Sequence, residues 1–384
     1  MSRRRFLSLL PQLAVLTAAP AFVRNAAAQE GLSAKSITVG SSFAMTGPQS
    51  GFGNAIKLGS DAAIAQINAK GGVQGRLLQL QALDDGYVPQ RSVDNVKKMI
   101  DDGNVFALMS CQGTPNNAAI LPLIEASNLP YLAPLSGSTS LRKSSSRNVF
   151  HVRASYTEET HRLMEKLLSM GIHNLGIAYM DNQFGKEILA DATSVLTAHD
   201  MKPAVQAALA IDGRNAQEVA TQIMAAKPAA VLLGTSGASS VALIAALKKI
   251  SPLLPIAGLS VALVGDDFKN VGAASAGLAL TMVFPNPYSA RTPVVRDYQS
   301  AMRAVGSKEF SSGSLESYIN TLVLAEALER AGRDVTRAKL RTALQSLQKF
   351  DLGGFVVDYS GAAPFVGSHY VDLGVLGANG RFLG

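Results

Sequence analysis

Residues 105–138 read VFALMSCQGTPNNAAILPLIEASNLPYLAPLSGS, and this stretch contains two apolar runs joined by a helical segment. The first run ends in the polar turn Gln112-Gly113-Thr114, and the second ends in Ser136-Gly137-Ser138. Between the turns, apolar side chains recur with the spacing of one helix face, at Ala118, Leu121 and Ile124. The order strand, turn, helix, strand, turn predicts a parallel βαβ unit.

Both polar turns are predicted at the carboxyl ends of strands, where ligands bind in open α/β sheets. Small residues there allow backbone N–H groups to approach a ligand, and the hydroxyls of Thr114, Ser136 and Ser138 can add hydrogen bonds. A helix N-terminus after the first turn favours an anion. Either turn alone could be an ordinary turn made of its usual residues. Two such turns on neighbouring strands predict a binding site.

The same alternation of strands and helices extends over most of the chain. Four strands alternate with helices up to about residue 150, and a second series of similar size follows up to about residue 280. Helices dominate residues 294–346, and short apolar segments separated by Gly and Pro end the chain. This pattern predicts an α/β protein with two doubly wound units.

The first 28 residues have the features of an export signal. Arg3-Arg4-Arg5 precedes an apolar stretch from Phe6 to Phe22, and Ala26-Ala27-Ala28 forms an A-x-A cleavage pattern. The basic start resembles a twin-arginine signal, although an ordinary secretory signal remains the alternative. The sequence thus predicts cleavage near Ala28 and a periplasmic location. No Cys follows the cleavage site to carry a lipid anchor, and no later run is long enough to span a bilayer.

Charge and cysteine content exclude other classes. The net charge of +7 includes the arginines of the predicted signal, so the remaining charge is mild and does not indicate nucleic-acid binding. Cys111 is the only cysteine, so the chain has no internal disulfide. Its stability must therefore come from packed cores.

Catalysis by Cys111 is the alternative to simple binding. This residue follows a strand and precedes a helix, but a nucleophile elbow needs Gly two residues earlier, where Met109 stands. The histidines show no tandem motif with it and no metal-ligand spacing; they are His151, His161, His173, His199 and His369. Nucleotide-binding glycine motifs are also absent from the sequence. We therefore predict no catalytic residue, no metal site and no cofactor.

The order of these segments resembles the type I periplasmic solute-binding proteins, in particular the leucine/isoleucine/valine-binding group that serves ABC importers. The resemblance extends from Lys35 to Gly384. The residues that carry it are Ile37-Thr38-Val39-Gly40, Thr46-Gly47-Pro48, Gly71-Gly72-Val73-Gln74-Gly75-Arg76, Asp84-Asp85, Asp181-Asn182-Gln183-Phe184-Gly185-Lys186 and Ser314-Leu315-Glu316-Ser317-Tyr318.

This resemblance implies two α/β lobes that are joined by three crossover strands and that close on a ligand. The crossings would lie near Val149–Val152, Leu278–Phe284 and Lys349–Gly353. One lobe would combine residues 35–150 with 284–348, and the other would combine 151–280 with 353–384. The implied partners are a small-molecule ligand and the permease and ATPase subunits of an importer, with the protein as a monomer. A periplasmic ligand sensor of the same fold is the alternative.

The resemblance also places the ligand in the cleft between the lobes. On one side of the cleft, the resemblance implies that the two polar turns bind a carboxylate or similar acceptor group of the ligand. Their residues are Gln112, Gly113, Thr114, Ser136, Gly137 and Ser138. On the other side the matching positions are Tyr156, Phe184, Thr235, Ser236, Leu259 and Ser260. Tyr156 and Phe184 are expected on loops. Phe43 and Phe52 would lie near the mouth, although either could belong to the core.

One position bears on the kind of ligand. Family members that bind amino acids usually meet the ammonium group with an acidic residue in the turn where this chain has Ser260. A buried ammonium without a charge partner costs several kcal/mol, which a serine hydroxyl does not offset. We therefore predict a small carboxylate or amide with an apolar or aromatic body. If the match slips by a few residues, Asp266 or Asp267 supplies the missing charge instead.

Overall fold

The computed structural model describes residues 30–143 and 145–383. The predicted export signal and its cleavage site lie outside the described residues. The strands, in chain order, are β1 (Ser36–Phe43), β2 (Leu77–Asp84), β3 (Ala107–Met109), β4 (Tyr131–Leu132), β5 (Val149–His151), β6 (Leu175–Met180), β7 (Val205–Leu209), β8 (Ala230–Gly234), β9 (Ile256–Gly258), β10 (Ala279–Met282), β11 (Phe350–Asp351), β12 (Val356–Val357), β13 (Phe365–Val366) and β14 (Asp372–Val375).

Helices alternate with these strands. They are α1 (Ser50–Ala69), α2 (Pro89–Asp101), α3 (Thr114–Ser127), α4 (Tyr156–Ser169), α5 (Gln183–Ala198), α6 (Ala216–Ala225), α7 (Ala238–Ile250), α8 (Asp267–Val271), α9 (Pro293–Ala304), α10 (Ser312–Ala331) and α11 (Arg337–Gln345). Short 3₁₀ turns lie at Thr139–Leu141 and Gly272–Ser275.

Two six-stranded sheets organise the molecule. The first has the order β13-β5-β4-β3-β1-β2, and its strands pair in parallel. The second has the order β14-β10-β9-β8-β6-β7 and is parallel except for β14, which pairs antiparallel with β10. Parallel neighbours need crossover helices, and these cover the sheet faces. The predicted fold class of two doubly wound α/β units is confirmed.

The helices that follow β10 pack on the first sheet. Helix α10 crosses α1 so closely that a Cβ on Gly59 would lie 2.0 Å from the backbone oxygen of Ser314. The hydroxyl of Tyr318 donates to Gln66 Oε1 at 2.6 Å across the same contact. The first lobe is therefore built from two separate parts of the chain.

Residues 353–384 were expected to belong entirely to the second lobe, but the structure divides them between the two lobes. Strand β13 pairs with β5 in the first sheet, and the ring of Phe365 stacks on Phe150 at 4.8 Å. Only β14 and the residues after it pair with the second sheet. Because β13 is buried against the first core, the chain makes its last passage between lobes after residue 366.

Helix caps place two aromatic residues differently from the prediction. Ser155 and Glu158 form a reciprocal capping box, so α4 begins at Tyr156. Asn182 accepts a hydrogen bond from the backbone N–H of Gly185, and α5 therefore begins one residue before Phe184. Tyr156 and Phe184 were expected on loops, and the expectation was wrong, because each lies in the first turn of a helix.

Candidate ligand-binding site

The two lobes touch each other along the carboxyl ends of their strands. Side chains of both lobes belong to one buried cluster, with Phe43, Phe52 and Leu135 from the first lobe beside Tyr156 and Phe184 from the second. The lobes are thus in contact, and the cleft between them is closed.

A small cavity remains inside this closed cleft. Its volume of about 10 Å³ is close to that needed by one water molecule. Residues of both lobes line it: Gln49, Phe52, Tyr87, Gln112, Gly113, Thr114, Leu135, Tyr156, Phe184, Ser236 and Val261. A solute of several heavy atoms enters only if the lobes separate or side chains move.

Half of the predicted site residues line this cavity. They are Gln112, Gly113, Thr114, Tyr156, Phe184 and Ser236. The first polar turn therefore faces the second lobe, with the N-terminus of α3 directly behind it.

The second polar turn supports the first. The hydroxyls of Thr114 and Ser136 lie 2.8 Å apart, which joins the two turns. The backbone oxygen of Gly137 accepts from the N–H of Tyr156 at 2.7 Å. The Gly113 N–H donates to the backbone oxygen of Leu135 at 3.1 Å. This N–H group was expected to bind the ligand, but its hydrogen bond is made within the protein.

Six predicted residues do not line the cavity, for simple geometric reasons. Ser138 and Thr235 turn to neighbouring hydroxyls, those of Ser140 at 2.7 Å and Ser240 at 2.6 Å. Leu259 is buried in the core of the second lobe. Ser260 lines a different cavity and is described below. Ser136 and Gly137 are likewise absent from the lining, because they brace the first turn and Tyr156.

A family model described as periplasmic binding protein matches residues 36–368. The chain belongs to this family. The predicted resemblance is thereby confirmed, and the family implies a periplasmic location. Its members are the substrate-binding components of ABC transporters and act with membrane components.

Solved structures and curated relatives agree with this assignment. A substrate-binding periplasmic protein from Ralstonia solanacearum is 31% identical, with a TM-score of 0.84, over 90% of this chain and 99% of that chain. An extracellular ligand-binding receptor from Verminephrobacter eiseniae is 27% identical, with a TM-score of 0.82, over 91% and 100%. The Leu/Ile/Val-binding protein BraC3 of Rhizobium johnstonii is 23% identical over 317 residues, which cover 80% of this chain and 83% of BraC3.

The sequence interpretation missed Gln49 in this periplasmic binding protein. The residue is buried between the lobes, and its side-chain amide donates to the backbone oxygen of Ser236 at 2.9 Å. Its backbone oxygen accepts from Gln112 Nε2 at 3.3 Å. Gln49 follows Thr46-Gly47-Pro48 after β1, so the rule that located the other turns could have found it.

Tyr87 was also missed, and the same rule applies to it. It follows β2 in a turn, with φ of 65°. A Cβ on Gly113, whose φ is 93°, would lie 2.5 Å from the Tyr87 ring. Burial raises the pKa of Tyr87 well above its usual value, so the phenol stays neutral. Glycine at position 113 is therefore required by the tyrosine that faces it.

Two of the four aromatic rings in the cavity wall contact each other. The rings of Tyr156 and Phe184 meet edge to face with centroids 5.1 Å apart. The guanidinium of Arg153 lies 5.2 Å from the Tyr156 ring on its other side. The predicted mouth residue Phe52 lines the cavity, whereas Phe43 is fully buried in the core and does not.

The residues that line this cavity carry no carboxylate and no basic side chain. Of the two alternative acids, Asp266 borders an open pocket elsewhere between the lobes. Asp267 is buried, and its Oδ2 accepts from the backbone N–H of Val264 at 3.0 Å. Burial raises the pKa of Asp267 to about 6. Neither acid lines the cleft cavity, so the wall of that cavity is uncharged.

Ser260 meets charged residues that the sequence interpretation had not singled out. Its hydroxyl accepts from Arg153 Nη2 at 2.6 Å, and its backbone N–H donates to Glu159 Oε2 at 2.9 Å. Arg153 also pairs with Glu159 at 3.0 Å and with Glu316 at 3.4 Å. Arg153 and Glu159, which lie six positions apart, thus form a buried ionic cluster with the distant Glu316, and sequence spacing does not reveal it.

Cys111 is buried beside the cleft and not in its wall. Its sulfur accepts a hydrogen bond from the Ser42 backbone N–H at 3.4 Å. Burial raises the pKa of the Cys111 thiol to about 11, so it is protonated at neutral pH. A nucleophilic cysteine needs the thiolate.

Within residues 30–143 and 145–383, no group of three His, Cys, Asp or Glu side chains is placed to hold a metal ion. The same part of the chain contains no helix that is both long and apolar enough to cross a bilayer.

Proposed function

We propose that this chain is the periplasmic solute-binding component of an ABC importer of the branched-chain amino acid type, and that it captures a small carboxylate or amide with an apolar or aromatic body. The observation that carries the proposal is the uncharged cavity between the lobes. Hydroxyl, amide and aromatic side chains from both lobes line it. Capture would occur by closure of the two lobes.

The polar groups of the cavity wall suit an anionic or carbonyl group. Thr114 begins α3, so its hydroxyl lies at the positive end of a 14-residue helix. The Thr114 and Ser136 hydroxyls share one hydrogen bond, in which either oxygen can be the donor, and that leaves a second O–H to donate to a ligand. Gln112 and Ser236 add amide and hydroxyl groups.

The aromatic rings of the cavity wall suit an apolar or aromatic body. The rings of Tyr156 and Phe184 offer a flat apolar face and an edge, which favours stacking with another ring. An α-ammonium group would lie in this cavity without a carboxylate, at a cost of several kcal/mol. This argues for a solute without a free α-amino group.

Closure follows from the shape of the cleft. Contacts to a solute would come from both lobes, so the solute favours the closed state by its difference in affinity for the two states. The cavity of about 10 Å³ is too small for such a solute, and the lobes must therefore adjust around it. Cys111, buried and protonated, supports a binding role in preference to catalysis.

Related proteins suggest two candidate ligand classes. Several curated relatives are named Leu/Ile/Val-binding proteins. A solute-binding protein from R. palustris was solved in complex with benzoate and shares the fold with a TM-score of 0.80 at 16% identity. At that identity only the fold is shared, so the ligand has to be measured.

Calorimetric titration tests the proposal directly. Leucine, isoleucine and valine are titrated beside their deaminated acids and benzoate. We expect binding of one or more of the acids and at least tenfold weaker binding of the amino acids. Tight binding of the amino acids alone would refute the proposed solute class. Cys111→Ala serves as a control for catalysis, because it should keep full affinity and the solute should be recovered unchanged.

A further inference from the structure

A second small cavity lies deeper in the molecule, beside the segment that crosses between the lobes after β10. Its volume is also about 10 Å³. Most of its wall is apolar, and the polar residues are Ser260, Ser312 and Glu316; the apolar residues and glycine are Phe52, Val264, Met282, Val283, Phe284, Pro285, Pro287 and Gly313. We call it the hinge cavity.

Phe52 lines both the hinge cavity and the cleft cavity. Its ring packs on the backbone of Gly313, where an added Cβ would lie 3.0 Å from the ring. Phe52 is therefore shared by the walls of the two spaces, and a solute that spans both requires this ring to rotate. A solute held in the cleft would then extend toward Glu316.

Glu316 is poorly compensated for a buried carboxylate. Only 4% of the residue is exposed. Its oxygens lie 3.4 and 3.5 Å from Arg153 Nη1, longer than the 2.7–2.9 Å typical of such charged hydrogen bonds. Arg153 makes its shorter contacts with Glu159 and Ser260 instead.

The ionic cluster therefore contains one cation and two carboxylates. Glu159 is well satisfied, because it accepts from Arg153, the Ser260 backbone N–H and the Thr281 hydroxyl. Glu316 is left with one distant guanidinium. Burial, opposed by Arg153 and reinforced by Glu159, raises the pKa of Glu316 to about 7. A second positive group beside Glu316 would complete the charge balance.

We propose that the hinge cavity is a subsite for the ammonium or similar cationic end of a solute, with Glu316 as its counter-charge and Phe52 as the movable partition. An ammonium group is about the size of the water that the cavity can hold. Glu316 and the hydroxyls of Ser260 and Ser312 can accept its hydrogen bonds. This inference rests on the proposed function, and it adds a cationic group at the end of the solute remote from the carboxylate.

The test uses two probes of the same shape. Calorimetry at pH 8 compares 4-(aminomethyl)benzoate, which carries the cation, with 4-ethylbenzoate, which does not. We expect the wild-type protein to bind the cationic probe at least tenfold more tightly. Glu316→Gln should reduce this preference to within threefold. Glu326→Gln is the matched control, because it removes a carboxylate from the more exposed side of the same helix.

Equal or tighter wild-type binding of 4-ethylbenzoate overturns the proposal whether or not the variant folds. A tenfold preference that persists in folded Glu316→Gln also overturns it. If Glu316→Gln does not fold, a second measurement on the wild-type protein replaces the variant. This measurement is the number of protons released at pH 7 when the cationic probe binds, obtained by comparing titrations in phosphate and Tris buffers. Release with the cationic probe alone supports the subsite, and equal release with both probes overturns it.

A second pair separates this inference from the proposed function. Leucine and 4-methylpentanoate are titrated in the same format. Suppose that neither benzoate probe binds, that wild type prefers leucine over 4-methylpentanoate, and that Glu316→Gln does not. This result supports the subsite and refutes the proposed solute class. If leucine is preferred equally by both proteins, the subsite is overturned. Binding of none of the four compounds overturns both.

Discussion

Gln49 and Ser236 hold each other across the cleft by a reciprocal pair of hydrogen bonds. Gln49 Nε2 donates to the backbone oxygen of Ser236, and the Ser236 hydroxyl donates to Gln49 Oε1, both at 2.9 Å. One residue belongs to the first lobe and the other to the second. The pair is buried, so its hydrogen bonds are lost only when the lobes separate.

Gln49→Ala should therefore favour the open state. Two buried hydrogen bonds together contribute about 1–3 kcal/mol to closure. We expect a larger radius of gyration for the unliganded variant in small-angle X-ray scattering, and weaker solute binding. Gln90→Ala is the control, since Gln90 bonds within the first lobe only. A variant as compact as wild type, with unchanged affinity, would show that this pair does not govern closure.

Gly113→Ala should impair binding and also cost stability. The backbone has φ of 93°, and the new Cβ would lie 2.5 Å from the Tyr87 ring. Strain at a positive φ lowers the free energy of unfolding by about 1–3 kcal/mol. We expect a lower melting temperature and at least tenfold weaker binding of a confirmed solute.

Gly75→Ala separates these two effects. Gly75 has φ of 76° with no neighbouring atom within 4 Å of an added Cβ. This variant should lose stability without losing affinity. If Gly113→Ala binds as well as Gly75→Ala, the turn at Gln112-Gly113-Thr114 is structural and the solute lies elsewhere.

Glu316 should make the protein less stable as pH rises. Its pKa is raised by burial from 4.5 to about 7, so the folded state holds a proton that the unfolded state has lost. The resulting stability is complete below about pH 4.5 and disappears as pH rises through 7. It amounts to about 3 kcal/mol.

Thermal melts of wild type and Glu316→Gln from pH 4.5 to pH 8 measure this effect. The difference in melting temperature should shift in favour of the variant as pH increases. Arg153 and Glu159 are the charged groups that act on Glu316. Parallel pH profiles for the two proteins would mean that Glu316 does not change protonation there.

Phe184→Leu should weaken binding of an aromatic carboxylate while the fold is kept. Leucine fills much of the same volume, but it removes the edge-to-face contact with the Tyr156 ring. In wild type the centroids of these two rings lie 5.1 Å apart. Aromatic pairs contribute about 0.5–1.5 kcal/mol beyond burial, so we expect about two- to tenfold weaker binding of benzoate by calorimetry.

Phe365→Leu is the matched control for this substitution. It removes a stacked ring from the first lobe, remote from the cleft, and should lower the melting temperature only. Equal losses of affinity in the two variants would assign the effect to general destabilisation.

The sequence by itself determined the succession of strands and helices and the location of several site residues. Strand alternation and helix periodicity depend on residues close in the chain, so they are readable locally. The turns at Gln112-Gly113-Thr114 and Ser136-Gly137-Ser138 were located because strand ends in a parallel sheet meet at one edge. Gln49 and Tyr87 obey the same rule.

Only the tertiary structure decided which of these turns face the solute and which support them. Thr235 and Ser138 have the right composition, but their hydroxyls bond to neighbours. The cluster of Arg153, Glu159 and Glu316 joins residues up to 163 positions apart. Charge pairing at such a separation depends on how the lobes pack and on the burial of each group. No local pattern of residues encodes either.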